Sequence, residues 1–545
     1  MKKYLATLLL ITCFAITAFA QLQTVAEQSD YARTSLYSDV MNFIYQVQKK
    51  SPLVKVVPLA TTTEGRMIPM VVLSKENISR PVDLRIHDKP VVLIMANIHA
   101  GEVEGKEACQ MLIRDIASGK IEGVLDNQVL LFIPIFNADG NDKLGHNRRD
   151  NGPELAGVRH NGQKLDLNRD YVKLETPEVK GLIRAYDAWD PVLLVDMHTT
   201  NGSYHREPVT YTPGLNPNGD QNLADYMWKE FFPTVSATLK TKYGYDSVPY
   251  GNFVDRLAPE KGWENDSYEA RFGTNYISVR NRFAILDENY SYADYKTRVL
   301  ASYSFIRSIL EFTNQNIKRM RELVRKSDIA TASIYHEQLF TLEYKPEKTF
   351  NVTVKSYVFE NEKIKPEDRS KYPPWIGEYI AKKTDTLKDY AIPYFASTSP
   401  VRTTKLPAGY IILPYQDKVL ENLLNHGISV EKILEPFTAT LENFKITKIE
   451  NSETLFQGHI FTKVEGAYET AEVEIPADSY YVSMNQPLAR LIAVLLEPEH
   501  SDSLLSWGFF DRVIIEQWTN RPSLYPVYRI TARPSIPMLG IGTGE

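Results

Sequence analysis

Four short apolar runs constrain this chain more than any other feature: "VVLIMA" (91–96), "VLLFIPIF" (129–136), "PVLLVDM" (191–197) and "FAILD" (283–287). None alternates with polar residues, so each predicts a strand covered on both faces. Helical segments lie between and after them: "EGKEACQMLIRDIAS", "PEVKGLIRAYDAW" and a long helix expected from about Tyr295 to Arg325. Strands buried on both faces and alternating with helices imply an α/β domain. Its sheet should be mixed, mostly parallel and flanked by helices.

The pattern changes near residue 330. "KTFNVTVKSYVF", "TLENFKITKIE" and "AYETAEVEI" alternate polar and apolar residues, the period of half-buried and antiparallel strands. Within that part, "GYIILPYQDKVLENLLNHGI" reads as a strand followed by a short helix. At 545 residues the chain is too long for one ordinary core. The expected organisation is a catalytic domain over 21–330 and a smaller β-rich accessory domain over 331–545.

The first twenty residues, "MKKYLATLLLITCFAITAFA", stand outside that scheme. Lys2 and Lys3 precede an apolar run, and Ala18-Phe19-Ala20 is a small-x-small cleavage site before Gln21, so a cleaved signal peptide is expected over 1–20. The mature protein is then exported, periplasmic or extracellular, and its net charge moves from −6 to −8 as both lysines leave. Cys13 leaves too, so Cys109 stands alone and no intrachain disulfide can form. No later apolar run is long enough to span a bilayer; the best, "LARLIAVLL", also holds Arg490. An acidic balance excludes the basic surplus of a nucleic-acid binder.

Chemistry gathers where the apolar runs end. "VVLIMA" runs into His99 and Glu102, with Glu104 and Glu107 following; "PVLLVDM" ends at His198; "FAILD" ends at Glu288. A lone His-x-x-Glu is common, and a histidine after a strand is more often structural than a ligand. In open α/β sheets, however, ligands gather beyond the carboxyl ends of the strands. Three runs ending in these residues would put all four side chains around one crevice. Two imidazoles and a carboxylate as ligands, with a further carboxylate as base, is the recipe for a catalytic zinc.

"NIHAGEVEG", "FNADG", "RHNGQKLDLNRDY", "DMHTTNG" and "AILDENYSY" follow one another in that order, and together resemble the successive motifs of the zinc metallocarboxypeptidases, the carboxypeptidase A-like family. The resemblance covers roughly Asp30 to Arg325. It implies one zinc per chain, held by His99, Glu102 and His198, and Glu288 as the general base that activates the attacking water. It also implies that Asn168 and Arg169 grip the free carboxylate of a peptide or protein C-terminus, and that Asp166 steadies His99. Arg159 best matches the family's oxyanion arginine, with Arg148 and Arg149 as competitors. Tyr276, or Tyr268 upstream, matches the family's tyrosine over the substrate. "DENYSY" departs from the family's usual neighbours of the base.

The residues give independent reasons for several of these roles. A guanidinium is a planar fork that pairs bidentately with a carboxylate. An outer carboxylate fixes the tautomer of a ligating histidine. Asp287 rivals Glu288 as base, but strand alternation turns the two to opposite faces. Other chemistries find little support: His336-Glu337 lacks a second His, no Gly-x-Ser-x-Gly elbow occurs, and Ser429 and Lys432 stand without the other motifs of their class. His426, His459 and His500 have no ligand-like companions.

The expected function is therefore an exported zinc metallocarboxypeptidase that hydrolyses the C-terminal peptide bond. The alternatives are a zinc deacylase of N-acyl amino acids and a non-catalytic peptide- or cell-wall-binding relative.

Overall fold

The structure, a computed structural model, describes residues 22–147, 149, 151–334, 339–372, 376–516, 518 and 521–542. The expected signal peptide lies outside these residues, as do Arg148 and His336.

The first part of the chain forms an eight-stranded sheet. Its strands are β1 (Val54–Thr61), β2 (Met67–Leu73), β3 (Val91–Ala96), β4 (Val129–Ile133), β5 (Leu193–Thr200), β6 (Val209–Pro213), β7 (Ser247–Pro249) and β8 (Phe283–Tyr290), in the order β1-β2-β4-β3-β5-β8-β6-β7. The four apolar runs of the sequence form its centre, where β4, β3, β5 and β8 are mutually parallel. β1 and β2 complete one side through antiparallel pairs, and β6 joins β8 antiparallel on the other. Every residue of β3 and β4 is buried, which explains why their sequences do not alternate.

Alternation along β3 instead divides two apolar layers. Val92 and Ile94 face helices α1 (Tyr37–Lys50), α2 (Glu104–Ala117) and α5 (Tyr295–Ile334), meeting Val40, Phe43, Leu112, Phe305 and Ile309. Leu93 and Met95 face α3 (Pro177–Trp189) and α4 (Gly273–Val279), meeting Val179, Leu182, Tyr276 and Ile277. Thr176 caps α3 by accepting from the Val179 N–H, and Pro177 sits in its first turn, where a missing N–H costs nothing. The chain leaves β3 for β4 on one side and later returns to β5 on the other. The carboxyl ends of β3 and β5 therefore flank the point where strand order reverses, the usual place for a crevice.

The C-terminal part is β-rich. A long antiparallel ribbon, Leu339–Lys363 with Tyr379–Lys405, adds to the short strand Trp263–Glu264 through Trp263 opposite Tyr394. Seven further strands form a third sheet that includes the hairpin Phe437–Phe456/His459–Ile475. Helix Ala489–Leu496, the "ARLIAVLL" run, is buried in the core; among the described residues no helix is long and apolar enough to cross a membrane. Leu423, Ile492, Leu495 and Trp507 belong to the same apolar cluster as Leu93, Val179 and Tyr276, so the core runs without a break across residue 330.

Candidate metal centre and active site

Beyond β3 the chain turns sharply at Asn97, whose φ of 65° is left-handed and whose side-chain amide donates to the carbonyls of Ala100 and Glu102. The Glu102 N–H returns to the His99 carbonyl at 2.9 Å, which brings the two side chains of His-x-x-Glu side by side. The first turn of α2 then presses on β5: a Cβ on Gly105 would stand 2.7 Å from the Cβ of Met197. That contact brings the end of β3 up against the end of β5, where His198 lies.

His99 Nδ1 and His198 Nδ1 are each 3.1 Å from a Glu102 oxygen and 3.2 Å from each other. Each ring has a carboxylate at its far nitrogen: His99 Nε2 donates to Asp166 Oδ1 at 3.0 Å, and His198 Nε2 faces Asp196 Oδ2 at 2.9 Å. The His99–Asp166 bond turns the His99 Nδ1 lone pair to the point that His198 Nδ1 and Glu102 also face. Ligand atoms of all three residues lie within 4.8 Å of one another in a buried pocket. Facing lone pairs repel, and a cation between them removes the repulsion. The charges around the pocket also call for a cation: burial alone would lower the His198 pKa, yet Asp196 and Glu102 outweigh it and hold it well above the ordinary range. An N,N,O donor set of this kind fits zinc.

The three acidic residues at the start of α2 are buried and differ in use. Glu102 joins the centre, Glu104 pairs with the buried Arg298, and Glu107 accepts from the hydroxyls of Thr34 and Ser35. None forms a solvated face.

Glu288 sits directly opposite His198 in the parallel pairing of β8 with β5 and lines the same pocket. Burial pushes its carboxyl pKa up to about 8; His198 opposes that rise and Glu102 adds to it. Asp287 points through the sheet to the side of Cys109, where both its oxygens lack a hydrogen-bond partner.

Asp166 opens the turn Leu167–Arg169 by accepting from the Asn168 N–H at 2.9 Å. The Asn168 side-chain oxygen accepts from the Gly273 N–H at 2.8 Å, leaving the amide NH2 for the pocket it lines. Arg169 lies over the Phe272 ring, its Cζ 4.1 Å from the centroid. Among the described residues its one carboxylate within salt-bridge range is Asp166, at 3.9 Å. Burial lowers the Arg169 pKa, a cost that an incoming carboxylate would relieve.

One expectation requires correction. Tyr276 does not reach the pocket: it is fully buried, and its hydroxyl meets His426 Nδ1 at 2.7 Å and Arg280 at 2.9 Å. The helical turn of α4 gives the pocket Thr274 and Asn275 instead, and the tyrosine that lines it is Tyr250, just after β7. Tyr268 is also turned away, its hydroxyl donating to the Phe395 carbonyl. Both described arginines of the expected set line the pocket: Arg159 holds Asp166 through two contacts of 2.9 and 2.8 Å with Glu102 Oε1 at 3.6 Å, and Arg149 reaches Glu102 Oε1 at 2.5 Å. Motif order alone does not rank arginines within one irregular loop, and of the two that the structure describes Arg149 lies nearer to Glu102.

Sequence reasoning also missed Asp196, although two residues before His198 on one strand is the same face and was readable. Tyr250 and Asp266 line the pocket from loops that carry no motif.

The sheet thus gathers two histidines, a carboxylate that could join them in holding a metal ion, and a partly buried second carboxylate at its switch point. Residues 40–225 match the zinc carboxypeptidase family, a stretch that holds His99, Glu102, Asp166, Asn168, Arg169 and His198 and ends before Glu288. The chain thus contains a zinc carboxypeptidase domain and is a peptidase of the hydrolase class. It is similar to carboxypeptidase 2 of Trichophyton tonsurans, 22% identical over 487 residues that cover 86% of this chain and 81% of that one. Carboxypeptidase 2 of Trichophyton rubrum is 21% identical over the same shares. Among solved structures, a metallo-carboxypeptidase of Burkholderia cenocepacia aligns with a TM-score of 0.39 and 16% identity, over 52% of this chain and 70% of that one.

Proposed function

We propose that the protein is an exported carboxypeptidase that removes single residues from free peptide C-termini, with His99, Glu102 and His198 holding one zinc ion. When bound, the zinc would supply Lewis acidity toward the scissile carbonyl and the attacking water. Glu288 takes the proton of that water and passes it to the leaving amine; burial shifts its carboxyl pKa upward, the direction that suits both transfers. Arg149 offers its guanidinium to the developing oxyanion, and Arg159 holds Asp166. Asn168 and Arg169 receive the terminal carboxylate and so restrict attack to the chain end. The side-chain end of the pocket is walled by Thr200, Thr212, Asn265, Asp266 and Asn275, which favours a polar or basic terminal residue over a large apolar one.

The observation that carries this reading is Arg169: a half-buried guanidinium stacked on Phe272, with no carboxylate in close contact, at the wall of a pocket that also holds the metal-ligand triad. A peptide panel of free acids and their C-terminal amides tests it. Free acids should be trimmed one residue at a time, and amides should react slower by roughly 10⁴-fold, because an amide leaves the guanidinium unpaired. Internal cleavage of amidated peptides would refute the assignment, and cleavage of N-acyl amino acids alone would point to a deacylase. Export is checked by sequencing the mature N-terminus, which should begin at Gln21.

A further inference from the structure

The two walls that carry the carboxylate grip are held from the far end of the chain. The turn 166–175 and the segment 271–276 belong to the first part of the sequence, yet their outer contacts are with residues beyond 420. Asn422 donates to the carbonyls of Val172 and Lys173, and His426 bridges the Val172 carbonyl to the Tyr276 hydroxyl. Asp502 takes the backbone N–H and the guanidinium of Arg271, the neighbour of Phe272. His459 pairs with Glu175 at 2.9 Å.

The contact nearest the chemistry comes from a hairpin tip. Strands Phe437–Phe456 and His459–Ile475 are joined by the two residues Gln457 and Gly458, with Phe456 opposite His459. Gln457 Oε1 accepts the backbone N–H of Asp166 at 2.8 Å. Asp166 is the residue whose carboxylate receives His99 Nε2, the Arg159 fork and the Asn168 N–H. Asp166 is itself buried, so without Gln457 its N–H loses the side-chain partner that fixes it at this partly buried contact. The hairpin is seated by aromatic contacts on both sides: Phe456 stacks on Trp507, and Arg271 lies over Phe456 and Phe461.

The backbone gives a second and independent sign. Gln457 and Gly458 have φ values of 52° and 84°, so both central residues of the turn are left-handed. Such turns favour Asn, Asp or Gly at the first position, where a longer side chain pays steric strain. Here the locally disfavoured glutamine stands where its extra methylene reaches Asp166. A local rule broken where the side chain makes a long-range bond is the mark of a functional position.

We propose that Gln457 is a positioning residue for carboxylate recognition: by fixing the Asp166 backbone, the hairpin tip sets the turn that aims Asn168 and Arg169. The β-rich C-terminal part is then an element of the substrate site, acting through a side chain on the backbone of the Asp166 turn. This rests on the carboxypeptidase reading above.

The test uses the full-length, zinc-loaded protein with Gln457→Asn, Gln457→Ala and Gln457→Glu. Asparagine suits the turn better but is too short to reach, so Gln457→Asn should keep or raise the melting temperature and retain zinc. Its KM for free-acid peptides should rise roughly tenfold, about 1.4 kcal/mol of lost binding, with kcat changed much less. The preference for free acids over amides should shrink by the same factor. Gln457→Glu keeps an acceptor oxygen at the same reach and should stay within about threefold of the parent KM. Hydrogen exchange read by mass spectrometry gives an arm independent of turnover: the peptide spanning 166–169 should lose protection in the Asn and Ala variants and keep it in the Glu variant. Parental KM together with parental exchange in Gln457→Asn would overturn the proposal. So would a KM rise matched by an equal fall in melting temperature across all three variants, which would mark a structural contact only. If the parent protein trims no free acid at all, the carboxypeptidase reading fails, while the exchange arm still decides whether Gln457 orders the turn.

Discussion

His198 and Glu288 occupy the same row of two adjacent parallel strands, paired Cα to Cα with their side chains on one face of the sheet. A metal-ligand candidate and a base candidate are thus held by a continuous hydrogen-bonded ladder rather than by two independent loops. One residue earlier in each strand, Met197 and Asp287 form the next row and face the opposite layer. A one-residue slip of β8 would exchange Glu288 for Asp287 in the pocket.

That row gives the first prediction. Glu288→Gln should retain zinc and peptide affinity and lose turnover by about 10²- to 10⁴-fold, since an amide cannot accept the proton of water. Asp287→Asn should leave turnover near the parent value. Elemental analysis beside single-turnover kinetics checks both, and equal losses in the two variants would mean that the base is misassigned.

Asp196 should matter to the metal although it does not touch it. Its carboxylate faces His198 Nε2 at 2.9 Å and its charge favours a cation beside that ring, so Asp196→Asn should weaken zinc affinity by about 10- to 100-fold. Competition with a chelator of known affinity measures this. Unchanged affinity would remove Asp196 from the site.

The two arginines should separate in their kinetics. Arg149→Ala should lower kcat by about 10²- to 10³-fold, the scale of losing an oxyanion donor. Arg159→Ala should act mainly on KM, through the loosened Asp166 turn. A larger kcat loss in Arg159→Ala would restore the assignment made from motif order.

One buried carboxyl should make a contribution to stability that falls as pH rises. Burial raises the pKa of Glu178, in the first turn of α3, from 4.5 to about 7. The unfolded chain ionises this group first, so the stability it carries is full below about pH 4.5 and is lost as pH climbs to 7. At most about 3 kcal/mol is involved, from 1.36 kcal/mol per pKa unit. Urea midpoints measured from pH 4.5 to 7.5 should move in favour of Glu178→Gln relative to the parent as pH rises.

A chain ending at residue 330 should not behave as an independent domain. It would retain every predicted site residue but uncover Val179, Leu182, Tyr276 and Ile277, which now pack in one cluster with Leu423, Ile492 and Trp507. Aggregation or loss of a cooperative melting transition is expected. A soluble fragment with parental activity would show that the C-terminal part is dispensable.

By itself the sequence determined the central sheet and the ends of its strands. Runs such as "VVLIMA" can only be buried on both faces, and a polar residue that follows such a run emerges at the strand's edge. Hence His99, Glu102, His198 and Glu288 could be grouped before any coordinates; alternation put Glu288 and Asp287 on opposite faces, and the family motif chose Glu288 between them. The tertiary structure decided what depends on loops and on distant packing. Arg149 and Arg159 share one irregular segment with no periodicity to orient them, so only the fold could assign one to Glu102 and the other to Asp166. Tyr276 looked available because its helix borders the pocket, but the C-terminal His426 fills the space its hydroxyl points to. Gln457 carries no motif at all, and its place beside Asp166, 291 residues away in sequence, exists because two apolar surfaces beyond local reach bury each other. Local patterns record which face of an element is buried; which surface buries it is a property of the whole chain.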